Sequence, residues 1–235
     1  MAVSFIASDS VADNTDSHTF ASVTTTGSDR HIIALSHQRD NPGEVISSVS
    51  RGGDTYTSKA AQLGTPSTIR VHMVIFESSN EPQTASADLT INLNANVSGG
   101  VYGYQEFNGV DQTTRSDAET TDNGLSTGPS DITITSTTND LVVSFLALRD
   151  VDVDIAGDQT VDYTTTTASN LQSGAQRAAG AASVGMGWDW TDNDSFAHIA
   201  YNLNAAAAGP TVPDDTLAPT VQLMESGGYI GAVIR

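Results

Sequence analysis

Arg30-His31-Ile32-Ile33-Ala34-Leu35-Ser36-His37 is the stretch that decides the fold. At the two-residue period of a β-strand, Ile32 and Ala34 lie on one face and Ile33 and Leu35 on the other. A strand that is apolar at both parities is covered on both sides, so it belongs inside a sheet. Residues 69–76 read the same way, and so does Leu141-Val142-Val143-Ser144-Phe145-Leu146-Ala147-Leu148. Around these lie segments with a single apolar face: Val3, Phe5 and Ala7; Val45 and Val49; Leu89, Ile91 and Leu93. Further strands are expected at residues 101–107, 131–135, 159–165, 182–190 and 198–203. Arg51-Gly52-Gly53-Asp54 is a hairpin turn by composition. Strand follows strand with no alternating helix. The expected fold is therefore all-β, an antiparallel β-sandwich of jelly-roll type with about ten to twelve strands. Residues 113–130 read as a long exposed excursion, because Asp122-Asn123-Gly124 and Gly128-Pro129 are turn formers. Residues 172–179 read as a single helical turn.

Composition narrows the function. The chain has 235 residues and no cysteine, which removes disulfides, thiol catalysis and zinc–thiolate sites. Charged residues are only 16% of the chain, yet the net charge is −19, from 28 acidic against 9 basic side chains. Lys59 is the sole lysine. Such a surface repels phosphate backbones and anionic membranes, so neither nucleic acid nor membrane is an expected partner. No apolar run reaches the ~20 residues of a membrane-spanning helix. The first residues have neither the basic nor the apolar region of a secretory signal, so folding in a cytoplasm is expected.

Composition changes after Asn204. Residues 1–204 read as the sandwich and 205–220, rich in Ala, Pro and Asp, as an extended linker. Residues 221–235 read as an apolar hairpin or strand arm, carrying Val221, Leu223, Met224, Tyr229, Ile230, Val233 and Ile234. A lone hairpin is at best marginally stable in water, so these seven residues are expected to form an interface. The arm reads either as the last edge strand of the same sandwich or as a segment that docks elsewhere.

Asp150, Asp152, Asp154 and Asp158 are the densest carboxylate group. Alternate aspartates share a strand face, and hard oxygens suit Ca2+. The spacing departs from an EF-hand loop, with Ile155 in place of its glycine and Val161 in place of its bidentate glutamate. The group reads either as a solvated strand end or as a Ca2+ site; no other cofactor is implied. Trp190-Thr191-Asp192-Asn193-Asp194 reads as a polar turn. Met186, Trp188 and Trp190 fall on one strand face, which is expected to face the core; an exposed aromatic face would instead suit sugar binding. His31 and His37 share a strand face but lie about 20 Å apart, too far to hold one metal. No nucleophile elbow, P-loop or H-E-x-x-H motif is present, and the expectation is a protein that is not an enzyme.

Five segments stand in a distinctive order: Gly27-Ser28-Asp29-Arg30-His31-Ile32-Ile33-Ala34-Leu35-Ser36, Val45-Ile46-Ser47-Ser48-Val49-Ser50-Arg51-Gly52-Gly53, Phe107-Asn108-Gly109-Val110-Asp111-Gln112-Thr113-Thr114, Asn139-Asp140-Leu141-Val142-Val143 and Phe196-Ala197-His198-Ile199-Ala200-Tyr201. Together they resemble a jelly-roll β-sandwich domain of phage virion proteins and bacterial secreted proteins. The resemblance covers roughly residues 1–205 and carries over no catalytic residue. It implies a structural protein of a tailed phage, first a capsid decoration or head-surface protein, then a tail or fibre component. The partners would be other virion proteins and copies of itself, assembled in the host cytoplasm. A carbohydrate- or surface-binding module is the alternative.

Overall fold

The chain starts as a strand and continues as strands. The computed structural model describes residues 1–39, 46–64, 71–83, 85–94, 100–149, 156–167 and 171–207. The first eight strands are β1 Ser4–Ala12, β2 Ser17–Thr24, β3 His31–Arg39, β4 Ile46–Arg51, β5 Tyr56–Leu63, β6 Val71–Ser78, β7 Ser86–Leu93 and β8 Gly100–Asn108. The next eight are β9 Glu119–Thr127, β10 Ser130–Ile134, β11 Leu141–Arg149, β12 Ala156–Gly157, β13 Thr160–Thr166, β14 Leu171–Ala179, β15 Val184–Asp189 and β16 Asn193–Leu203. The fold is all-β and antiparallel as expected, but the described residues form sixteen strands rather than ten to twelve. Two expectations are corrected. Residues 172–179 form β14 and not a helical turn, and the excursion at 113–130 contains β9 and the start of β10.

Strand order explains the larger count. One five-stranded sheet runs β1-β8-β3-β6-β5 and is covered by a three-stranded sheet, β2-β7-β4. The other five-stranded sheet runs β9-β16-β11-β14-β13 and is covered by β10-β15-β12. Adding eight to every strand of the first pair gives the second pair. Register repeats as well: His31 faces Phe107 and Ile33 faces Glu77, while Leu141 faces Leu203 and Val143 faces Arg177. What reads as one sandwich over residues 1–204 is therefore two consecutive eight-stranded jelly rolls.

The two five-stranded sheets pack on each other, giving four layers. β3 and β11 are the central strands of these sheets, which is why both their faces are apolar. Ile33 and Leu35 point into the seam between the halves, meeting a core that includes Val143, Phe145, Ala147, Ile199 and Tyr201. Ile32 and Ala34 point the other way, to Phe20, Leu89 and Ile91 under the first small sheet. Under the second small sheet lie Val142, Ile132 and Met186, with Leu146, Leu148, Trp188, Trp190 and Phe196 beside them.

β1 lies against β13 and β5 against β9, so the edge strands of the two large sheets cover one another. This crossed arrangement is an approximate two-fold axis running along the strands. A side-chain clasp closes each edge. On one side the Arg177 guanidinium lies 3.8 Å from the Phe5 ring centroid and pairs with Asp162, which also accepts from Gln105 at 2.5 Å. On the other, Lys59 Nζ lies 5.1 Å from the Tyr201 ring centroid and 3.3 Å from Glu119. Each clasp joins residues of both halves around one cation.

The connection between halves, the first residues and the end of the described chain meet at one end, the terminal end. The Met1 amino group donates to Ala206 O at 2.6 Å, Ala206 N–H to Gly109 O at 2.8 Å, and Val3 N–H to Asn139 O at 2.8 Å. Gly109 has φ +72°, and a Cβ there would stand 2.5 Å from Ala2 O, so this junction needs glycine. The sandwich thus holds the chain through Ala206, two residues past the boundary read from composition.

Because the seam is a full core, neither half is expected to fold alone. Residues 1–110 and 111–207, expressed separately, should each run as aggregate or unfolded chain in size-exclusion chromatography, and co-expression should recover a one-to-one complex. A monomeric, cooperatively melting 1–110 fragment would show that the seam is dispensable.

Candidate functional site

The residues singled out by sequence fall into three groups. Asp150, Asp152 and Asp154 lie outside the described residues, as do Val221, Leu223, Met224, Tyr229, Ile230, Val233 and Ile234. Asp158 is exposed, and its carboxylate accepts the Gly187 N–H at 2.9 Å, fixing β12 to β15. Among the described residues no group of three or more His, Asp or Glu side chains is placed to hold a metal ion. Met186 and Trp188 are fully buried and Trp190 is 5% exposed, so this strand face is core, as expected, and offers no aromatic platform. The polar turn expected at 190–194 is reduced to Thr191 and Asp192: Trp190 is core, and Asn193 and Asp194 already belong to β16, with Asp194 buried.

Trp188 is part of a buried polar relay that sequence reading missed. Its Nε1–H donates to Ser144 Oγ at 2.9 Å. His198 Nε2 lies 2.8 Å from the same oxygen, and His198 Nδ1 lies 2.9 Å from Ser130 Oγ, which donates to Asp122 Oδ2 at 2.7 Å. Proton counting gives one consistent direction. Ser130 gives its proton to Asp122, so it accepts from His198 Nδ1–H; Nε2 then accepts from the Ser144 hydroxyl. Burial holds the imidazole neutral by lowering its pKa to about 3. The relay contains a serine, a histidine and an aspartate, the groups used in acyl transfer. Ser144 and His198 are wholly buried, however, so no substrate atom reaches them in this conformation. Every relay member is satisfied, which makes it a structural network tying β9, β10, β11, β15 and β16 together.

His31 and His37 also lie in the core. His31 Nδ1 is 3.1 Å from Ser78 Oγ, and its Nε2 is 3.5 Å from the Glu77 carboxylate. Burial lowers the pKa of His31 despite Glu77. Burial pushes Glu77 up, but His31, Lys59 and Arg115 outweigh it and leave the carboxyl below its ordinary value. His37 is fully buried and its pKa is lowered to about 3 by burial alone.

At the terminal end of the first jelly roll, the Arg51-Gly52-Gly53-Asp54 turn comes together with the segment that starts at Glu106. Arg51 is fully buried; one Nη donates to Asp54 Oδ2 and the other to Val23 O, both at 2.8 Å. Asp54 Oδ1 accepts the Gln83 N–H at 3.0 Å. The turn is thereby bolted to β2 and to the β6–β7 connection. The sequence signal was the Arg and Asp flanking the two glycines, which reads as turn chemistry until the partners are seen. Compared with family models, curated proteins and solved structures, the chain matches none.

Two predictions follow from the buried relay and histidines. Trp188→Ala should cost about 3–5 kcal/mol in urea unfolding, the range for large core truncations. A loss under about 1 kcal/mol would mean that the site collapses around the missing ring. For pH, the unfolded histidines bind protons near pH 6.5, while His37 and His198 in the fold do so only near 3. The histidine contribution to stability is therefore full above pH 6.5 and falls as pH drops below it, by up to about 1.4 kcal/mol per unit for each such histidine. Glu106, raised to about 6 by burial, opposes part of that loss. Urea midpoints should fall between pH 7.5 and pH 5; a flat profile would contradict the neutral, buried assignment.

Proposed function

We propose that this chain is a non-enzymatic structural protein of a tailed-phage virion, a capsid decoration protein on the head surface. The reading rests on the resemblance over residues 1–205, whose best paired segments are the Arg51-Gly52-Gly53 turn and Phe107-Asn108-Gly109-Val110-Asp111. A net charge of −19 suits an outward surface, kept apart from packaged DNA by repulsion. The observation that carries the proposal is directional. The chain leaves the sandwich at the terminal end and continues through a Pro-containing linker to the apolar residues 221–234. Such a linker spans about 30 Å or more when extended. An apolar tail segment following the point where the chain leaves the sandwich, and an acidic double sandwich before it, would suit a protein that stands on a shell. Copies of the chain and the underlying capsid protein are the proposed partners, with strand addition the proposed mode. A tail or fibre component uses the same arrangement and is the second reading. The carbohydrate-binding alternative loses its aromatic platform, since both tryptophans are buried.

Deleting residues 210–235 tests the proposal. The truncated protein should keep the β-sheet circular dichroism and cooperative melt of the full chain, yet fail to co-sediment with assembled particles. A truncated protein that still joins particles, or that cannot fold, overturns the anchoring role.

A further inference from the structure

Three carboxyl groups and two guanidiniums gather at the terminal end of the first jelly roll, between its two sheets. Arg51 is matched to Asp54 at 2.8 Å. Arg30 Nε donates to Glu81 Oε1 at 3.1 Å, and an Arg30 Nη reaches the Thr25 hydroxyl at 3.4 Å. Each cation thus has its own carboxylate. Glu106, on β8, is the third acid. It is fully buried; neither carboxyl oxygen has a hydrogen bond of ordinary geometry, although the Thr26 backbone N–H is directed at the carboxyl. The Tyr56 hydroxyl is also buried without a partner; burial, then the charges of Asp54 and Glu106, pushes its ionisation up, so it stays neutral. Tyr104, whose ionisation is pushed up by burial and then by the charges of Asp9 and Glu106, adds no positive charge. Two cations stand against three acids; Arg30 and Glu81 reach solvent in part, whereas Arg51, Asp54 and Glu106 are buried. A buried carboxylate with so weak a donor is costly when ionised, whereas a neutral carboxyl is tolerated.

We propose that Glu106 is a proton-binding site: as the one unmatched acid of this cluster, it takes up a proton from mildly acidic solution and so tightens the junction between the two jelly rolls. Burial pushes its carboxyl up to about 6, against the smaller opposing effects of Thr26, Arg51 and Arg30. The junction follows directly in sequence. Phe107 fills the seam, Gly109 N–H donates to Ser28 O and Val110 N–H to Asp29 O, each at 3.0 Å, and Gly109 lies on Ala2. Loss of the proton leaves a bare charge one residue before these contacts.

Carbon-13 NMR titration of the intact protein with labelled glutamate tests it directly. The Glu106 carboxyl should titrate at least one pH unit above the other glutamates. Titration together with them overturns the proposal, and so does a Glu106 titration that moves on adding Na+ or Ca2+, since the occupant is then a cation. Amide exchange provides a second readout. After correction for intrinsic rates, exchange at Gly109 and Val110 should rise about tenfold between pH 5 and pH 7.5, the factor for a one-unit shift. It should stay level in Glu106→Gln. Equal pH dependence in the two proteins overturns the coupling to the junction; if Glu106→Gln does not fold, the carbon-13 titration decides alone.

Discussion

Everything in this fold depends on the contact between two large sheets. A five-stranded sheet with a single covered face can turn its other face to water. Here both large sheets are covered twice, once by a small sheet and once by each other. That demand sets the composition of β3 and β11, which must be apolar at both parities. It also fixes the edges, because face-to-face packing under a two-fold brings β1 beside β13 and β5 beside β9. Exposed strand edges are a hazard to most β-proteins. In this chain the two large sheets shield each other's edges, and a single cation on each side holds the closure.

Much of this was legible in the sequence. β3, β6 and β11 were marked as interior strands by their two apolar faces, and the burial of Trp188 and Trp190 followed from their period-two spacing. The repeat was not legible. Aligned by register, His31–Arg39 and Leu141–Arg149 share only the closing arginine among nine positions. What the halves hold in common is the order and offset of pairing, a property of contacts between distant residues. Two local misreadings have separate causes. Residues 172–179 are small and helix-compatible, but β11 and β13 recruit them from either side, and packing overrides propensity. Asp122-Asn123-Gly124 looks like a turn, yet Gly124 sits inside β9 because the Phe196 ring lies across it; a Cβ there would be 3.0 Å from that ring.

The polar interior was the least legible part. Ser130, Ser144 and His198 are far apart in sequence and ordinary singly; only the pairing of β11 with β16, and of β10 with β15, brings them into one relay with Trp188. Glu106 was hidden for a related reason. It precedes Phe107 in a strand that reads as aromatic, and nothing local shows that both nearby arginines are taken by other acids. Charge balance within a buried cluster is a sum over several elements, so no single segment reveals it.

The head-to-tail closure at the terminal end has a consequence for how the molecule is handled. Met1 and Ala206 are already joined by a hydrogen bond of 2.6 Å, so residues 1–206 trace a nearly closed loop. A short covalent bridge there would give a circular permutant, with new ends opened in the exposed part of the connection between β8 and β9. Such a rearranged chain begins with the second jelly roll and ends with the first. It would place any fused cargo at the two-fold junction and leave both sets of sheets in their native order.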